Sequence, residues 1–516
     1  MAQISSDNKR IAKNTLMLYI RMFFIMLVSL YATRVVLKAL GEQDYGIYNV
    51  VGGIVVMFSF LSRVLASASQ RFFAFELGRK NRERLKQVFS ITQILYVFVI
   101  IIIIIAAESL GLWFLHSKAT IPSERMEAAN WIFQFSVISF SLHLFTTPYQ
   151  ADIIAREKMD VYAFIGILEA VLHLLLALAL QFIPFSKDIL IVYGLMVLFN
   201  AMIVNGSYIC YALWKYEESH FKYYWDTKLA KEILSYSGWN LFGSVAGVAR
   251  SQGINMLINV FFNPAINAAR GIAYQINSAI NQFANNFYTA VRPQVTKNYA
   301  KGDIRATLSL VFSSSKLTYY LLLFIAVPIM VFAFPILELW LDKVPDHTLL
   351  FTELVIIVAL VDSLSNPLMT LAQATGKVAL YQFVVGSLLL LNLPISYIFL
   401  KMGYPAEVTM VVAIAIAVIS LLARLIILRH LVQFPVGKYI VQVLLKISIP
   451  TVISFGLVYL LKIALFPSID SVALLLLKLV TAVGLTIGVI LLTGLNKKEK
   501  DMLKNAVLNK INRSNK

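Results

Sequence analysis

One cysteine, Cys210, in 516 residues leaves nothing from which to build a disulfide framework or the paired Cys/His spacing of a zinc site. Charge is scarce as well: Asp, Glu, Lys and Arg make up 14% of the chain, where soluble domains carry about 25%. A water-soluble fold is therefore excluded. No Walker-type glycine loop occurs, so ATP is not the direct energy source. Nor is there a metal cluster or a nucleophile–base–acid constellation, and neither an enzyme nor a cofactor is expected. The opening residues, MAQISSDNKRIAKN, lack a signal-peptide pattern: their charges lead into an apolar segment too long for an h-region and without a small-residue cleavage site. Also missing is the alternation of apolar and polar residues over ~10 positions that marks an outer-membrane strand.

What the chain has is apolar length. Hydrophobic residues make up 59% of it, and runs long enough to cross the ~30 Å hydrocarbon core recur from residues 14–37 to 472–495. The expected fold class is all-α integral membrane, with about 14 transmembrane helices. A net charge of +18 could suggest nucleic acid, but the basic residues lie in short loops between apolar segments, so no nucleic-acid partner is expected. Lys and Arg concentrate in every second loop, as in Arg79, Lys80, Arg82, Arg84 and Lys86, or Lys215, Lys222, Lys228 and Lys231. This pattern predicts a multi-pass protein with both termini cytoplasmic.

The chain also repeats itself. TTPYQADIIAREKMDVYAF and SNPLMTLAQATGKVALYQF align without gaps, pairing Pro148 with Pro367, Ala155 with Ala374, Lys158 with Lys377, Tyr162 with Tyr381 and Phe164 with Phe383. A second echo pairs Leu85, Val88, Phe89 and Ser90 with Leu308, Val311, Phe312 and Ser313. Both fall at the same place in a six-helix unit, which predicts two parallel six-helix repeats plus two C-terminal helices. The expected domains are residues 1–227, residues 228–432, and residues 433–516 with a basic tail. Parallel repeats of this kind put a substrate cavity between two lobes and permit alternating access.

The run NTLMLYIRMFFIMLVSLYATRVVLKALGEQDYGIYNVVGG, with its counterpart GWNLFGSVAGVARSQGINMLINVFFNPAINAARGIAYQINSAINQFANNF, carries a family resemblance. With the turn at Gly41, Tyr45 and Gly46 and the run from Asn267 to Gly271, it resembles the Wzx-type O-antigen and capsule flippases. These are polysaccharide exporters of the multidrug/oligosaccharidyl-lipid/polysaccharide (MOP) superfamily. The resemblance implies MATE-like V-shaped lobes in a bacterial inner membrane. It also implies movement of undecaprenyl-diphosphate-linked oligosaccharide from the cytoplasmic to the periplasmic leaflet, driven by a proton or sodium ion.

Charged side chains cost ~2.5–3.5 kcal/mol at the centre of a membrane helix, so those that persist mark sites. Arg21, Arg63, Arg250 and Arg270 lie within the first, second, seventh and eighth expected helices. A forked guanidinium suits a diphosphate, to which it can make two charge-assisted bonds; snorkelling to an interface is the alternative, most of all for Arg63. In the eighth helix Arg270, Tyr274, Asn277, Asn281, Asn285 and Tyr288 recur at steps of three or four, as do Gln275, Ser278, Gln282 and Asn286. One broad helix face results. Unsatisfied amides are not tolerated against lipid, so this face is expected to meet water, a glycan or other helices. Asp362 and Glu169 are candidates for ion coupling, with pairing to a nearby Lys or Arg as the alternative; His143 and His173 read as core histidines. The rival functions are a MATE-type drug/cation antiporter, which would want more carboxylates, and an oligosaccharide polymerase or ligase, which would want a large soluble loop.

Overall fold

A computed structural model describes residues 2–56, 58–117, 121–182, 188–262, 264–341, 344–464 and 472–495. The basic C-terminal tail lies outside the described residues. Every regular element among the described residues is a helix. Eleven helical stretches, from Arg10–Ser29 to Val472–Gly494, have the length and apolarity to cross a membrane, and the chain is a multi-pass membrane protein. The second, seventh and eighth expected crossings do not join this set, although they too are helical, in Ala2–Val56 and Ser59–Arg79, Thr227–Phe261 and Pro264–Ala300. Their polar residues lower their apolarity, so the expected count of about fourteen fits approximately.

Local chemistry sets the breaks. Gly41, at φ 77° and ψ 170°, interrupts Ala2–Val56 where the sequence turns from its first apolar segment to its second. Only glycine enters that backbone region without strain. Gly376, at φ 78°, caps Thr348–Thr375 in the left-handed conformation usual at a helix C-terminus.

The described residues fold as two compact units, one within residues 12–241 and the other from residue 242 onward with the first eleven, and the division falls within Thr227–Phe261. In the first unit Met126–Ala155 is the central helix, packed on Ser59–Arg79, Arg82–Ala106, Met159–Phe182 and Ile189–Lys215. In the second, Thr348–Thr375 takes that place, packed on Pro264–Ala300, Ile304–Val331 and Val408–Val432. Each central helix carries a buried internal proline, Pro148 or Pro367. The last two spans dock on Ile304–Val331, where Tyr320 donates to a backbone carbonyl of Lys446 or Gly494 at 3.2 and 3.1 Å. Outward faces are apolar: Phe98, Ile102 and Ile105 on Arg82–Ala106 are all more than half exposed. Continuous apolar exposure of this kind is stable only against hydrocarbon.

Ion pairs tie the ends of the first unit. Arg125 donates to both Asp44 and Asp188, joining three connections in one forked contact. At another end Arg156 donates to Asp152 at 3.0 Å and to Glu218 at 3.3 Å while its guanidinium lies 4.0 Å over the Tyr216 ring. None of the three side chains in the Arg125 contact is more than 27% exposed, so solvent screens it incompletely. Arg125→Ala is expected to cost about 2 kcal/mol by stranding two carboxylates. The unfolding midpoint of the detergent-solubilised protein, followed by tryptophan fluorescence, should fall by several degrees; an unchanged midpoint would show the contact to be inert.

Candidate functional site

Two polar centres lie at positions flanked by membrane-spanning sequence, one in each unit. The first is a cavity of about 460 Å³ walled by Ala2–Val56, Met126–Ala155, Met159–Phe182 and Ile189–Lys215. Arg21, His143, Glu169 and His173 line it, together with Gln150, Tyr162, Asn200, Asn205 and Tyr208. Arg21 holds its guanidinium 4.4 Å over the Tyr162 ring. Gly166 makes room for this: a Cβ there would collide with the Arg21 Nε. Glu169 is within electrostatic reach of Arg21, yet the described residues show no direct ion pair between them. Glu169 and His143 are exposed. The two histidines thus stand on the cavity wall and not in the core, because helix periodicity turned both toward the polar side.

Buried polar atoms around this cavity lack partners. Arg21 Nε, Asn200 Oδ1 and Asn205 Oδ1 are all buried without a hydrogen bond among the described residues. Such atoms are rare in native interiors, and three around one cavity mark a place for water or a bound group.

The second centre belongs to the other unit. Arg270 is buried; it donates to Asn255 Oδ1 and, at 3.5 Å, to the Ser251 carbonyl, and it stacks 4.4 Å over Tyr274. Arg250 is close enough for the two cations to repel. Asp362 is in electrostatic reach of Arg250 and of a third arginine, Arg424. Arg424 is buried, and its Nε donates to Tyr381 Oη at 2.9 Å.

From this centre the helix Pro264–Ala300 carries the amide rows. Gln275, Ser278, Gln282 and Asn285 are exposed, Tyr274, Asn277 and Asn281 partly so, and Asn281 donates to Asn277 Oδ1 at 2.8 Å. Ala269, Ala273, Ile280, Ala284 and Val291 form the buried opposite face. The helix is therefore apolar toward its own unit and polar toward open space. Hydrocarbon does not accept free amides, so that face calls for water, a ligand or other protein against it.

The chain is similar in fold to MATE transporters. An outward-facing multidrug resistance MATE family transporter of the MOP superfamily matches at TM-score 0.71 and 13% identity over 83% of this chain and 98% of that one. A MATE in complex with MaD3S matches at TM-score 0.69 and 14% identity, covering 82% and 97%. The MATE transporter ClbM in complex with Rb+ matches at 0.67 and 17%, covering 80% and 94%. No family model matches the sequence, and no curated protein does.

Of the residues singled out in the sequence, Arg21 and Glu169 come together in the first unit. In the second, Arg270 is bonded through Asn255 and Ser251 to the helix that carries Arg250, with the amide rows on its own helix, whereas no hydrogen bond or ion pair joins Asp362 to them among the described residues. Arg63 is exposed on Ser59–Arg79 and joins neither group. Arg424 escaped the sequence reading because it sits in the last third of an apolar run, Val408–Val432, six residues before the more obviously terminal His430. Its equivalence to a cavity residue was the available signal: the separation that relates Tyr162 to Tyr381 also relates His143 to Asp362 and Asn205 to Arg424.

Hydration of the amide face is directly measurable. In a Cys210→Ser background, cysteines at 275, 278, 282 and 285 should react with a membrane-impermeant maleimide at least about tenfold faster than cysteines at 273, 280 and 284, since only a solvated thiol ionises readily. Equal, slow labelling of both sets would place the polar row out of water.

Proposed function

We propose that the protein is a transporter, and not an enzyme, that flips an undecaprenyl-diphosphate-linked oligosaccharide from the cytoplasmic to the periplasmic leaflet of a bacterial inner membrane. The observation that carries this reading is the buried Arg270, bonded through Asn255 and Ser251 to the helix that carries Arg250, at one end of an exposed row of amides. Guanidinium groups match a diphosphate, and amides and tyrosines match sugar hydroxyls. The prenyl chain requires no protein site, because it can stay in lipid. The MATE-like fold supports transport by alternating exposure of the polar surface to the two sides of the membrane. Both termini are assigned to the cytoplasm on the distribution of basic loops.

Coupling to a proton or sodium ion is assigned to the first centre. Glu169 supplies a carboxylate open to the cavity, and His143 and His173 supply imidazoles able to exchange protons. The Rb+ bound to ClbM supports a monovalent cation as the coupled species in this fold.

A MATE-type drug/cation antiporter is the second reading, favoured by the same fold and by Glu169. The charges of the second centre weigh against it: three arginines accompany one carboxylate there, which repels a cationic substrate.

Arg250→Ala separates the two. Losing charge-assisted bonds worth ~1.5–3 kcal/mol each lowers diphosphate affinity roughly 10- to 100-fold. Surface polysaccharide should therefore disappear in the native host while the abundance of the protein in membranes is unchanged. Full surface polysaccharide in that variant, together with increased sensitivity to a lipophilic cation on deletion of the gene, would replace the flippase with the antiporter.

A further inference from the structure

Met159–Phe182 and Ile189–Lys215, which wall the polar cavity of the first unit, also enclose a groove of about 370 Å³ that shares no residue with it. Val161, Phe164, Ile165 and Leu168 line it from one helix, Ser207 and Tyr211 from the other, and Asp160 lies at its end. Helix period separates the two: Tyr162, Gly166 and Glu169 turn to the polar cavity, and Val161, Ile165 and Leu168 turn away from it. Phe164 is 69% exposed, so the groove opens on a surface suited to hydrocarbon. From Asp160 to Leu168 it follows the helix for about 12 Å, at ~1.5 Å per residue.

One end of the groove is cationic. Lys215 follows Tyr211 by one helical turn on the same face, and Lys158 stands just before the start of the other helix. Both lysines are exposed, and neither makes an ion pair among the described residues. The nearby acids are engaged: Glu217 accepts from Lys86 at 2.8 Å, and Glu218 accepts from Arg156 at 3.3 Å and pairs with Arg82 at 3.7 Å. Asp160 accepts from the Val161 amide at 3.0 Å, at the start of its own helix. Beside Lys215, Trp214 is 81% exposed, with the Lys215 Nζ 5.5 Å from its ring centre. An exposed indole next to a lysine at the end of an apolar span marks the level of lipid headgroups.

We propose that this groove is a binding site for one anionic glycerophospholipid, with an acyl chain along Val161, Ile165 and Leu168 and the phosphate received by Lys158 and Lys215. The apolar length excludes a soluble anion as the occupant, because a small phosphate would leave the groove unfilled. A neutral lipid fills the groove equally well but leaves two ammonium groups against one carboxylate. Charge therefore selects the headgroup and the groove selects the chain. The site lies apart from the arginines and amides assigned to substrate, and it stands or falls independently of the flippase reading.

The test is quenching of Trp214 by phospholipids brominated on an acyl chain, read as the difference between wild type and Trp214→Phe, with the full-length protein in phosphatidylcholine nanodiscs. A lysine near an anionic surface is worth about fivefold in affinity. Brominated phosphatidylglycerol should thus reach half its full quenching at a mole fraction about tenfold lower than brominated phosphatidylcholine. Lys158→Gln/Lys215→Gln should bring the two lipids together. Ser207→Phe, which fills the groove and keeps both lysines, should reduce the preference at least about threefold. If the double variant does not accumulate, wild type in about 1 M salt, where screening acts within ~3 Å, should lose the preference instead. Equal quenching by the two lipids in wild type overturns the proposal, as does a preference that survives loss of both lysines or the added salt. A preference untouched by Ser207→Phe overturns the groove as the seat of the chain.

Discussion

Hydrocarbon does not hydrate polar groups, and the arrangement of this chain follows from that single constraint. Backbone groups are satisfied within helices, so the described residues contain helix and no strand. Side chains obey the same rule with more latitude. Apolar residues such as Ile102 and Ile105 face outward, where in water they would be a liability. Polar residues turn to partners, to a cavity, or to an accessible face that hydrocarbon cannot satisfy. A soluble protein hides its oily residues; here the polar ones need the shelter.

Within that constraint the two units use their polar residues differently. The first encloses an acid, a base and two imidazoles around a cavity, with several buried polar atoms unpaired. The second holds two buried arginines, Arg270 on Asn255 and Arg424 on Tyr381, and extends an amide face along Pro264–Ala300. Both rest on similar scaffolding, a central proline-bearing helix and a tyrosine that receives an arginine. Since that scaffolding is shared, substitution of a few inward positions is enough to give one unit a mixed acid–base lining and the other an excess of positive charge. Stability and specificity then draw on different residues. Arg125 and Arg156 clamp helix ends through ion pairs, whereas Arg21 and Arg250 have no contact ion pair among the described residues and remain available.

Much of the fold could be read from composition and periodicity. The steps of three and four along the eighth helix put Gln275, Ser278 and Gln282 on one face, and that face is exposed with an apolar face behind it. Three crossings recognised in the sequence carry enough polar residues to fall below a purely apolar criterion, and two of them hold Arg250, Arg270 and the amide rows. The histidines were misjudged for a related reason: in an isolated apolar helix the side that faces a cavity cannot be told from the side that faces a core. A lone cation near a helix end, such as Arg424, carries no sequence signal that separates a buried hydrogen-bonded guanidinium from one that reaches the interface.

Sequence by itself determined that the chain crosses a membrane as helices, roughly how many times, and which residues are too polar to face lipid, because those properties depend on local composition and a period of 3.6. Tertiary structure alone decided the partnerships: that Arg21 meets Tyr162 and shares a cavity with Glu169, that Asn255 holds Arg270, and that Tyr381 receives Arg424. Each pairing joins residues on different helices. It depends on the rotation of one helix against another, which helix period alone leaves open and close packing within each unit selects.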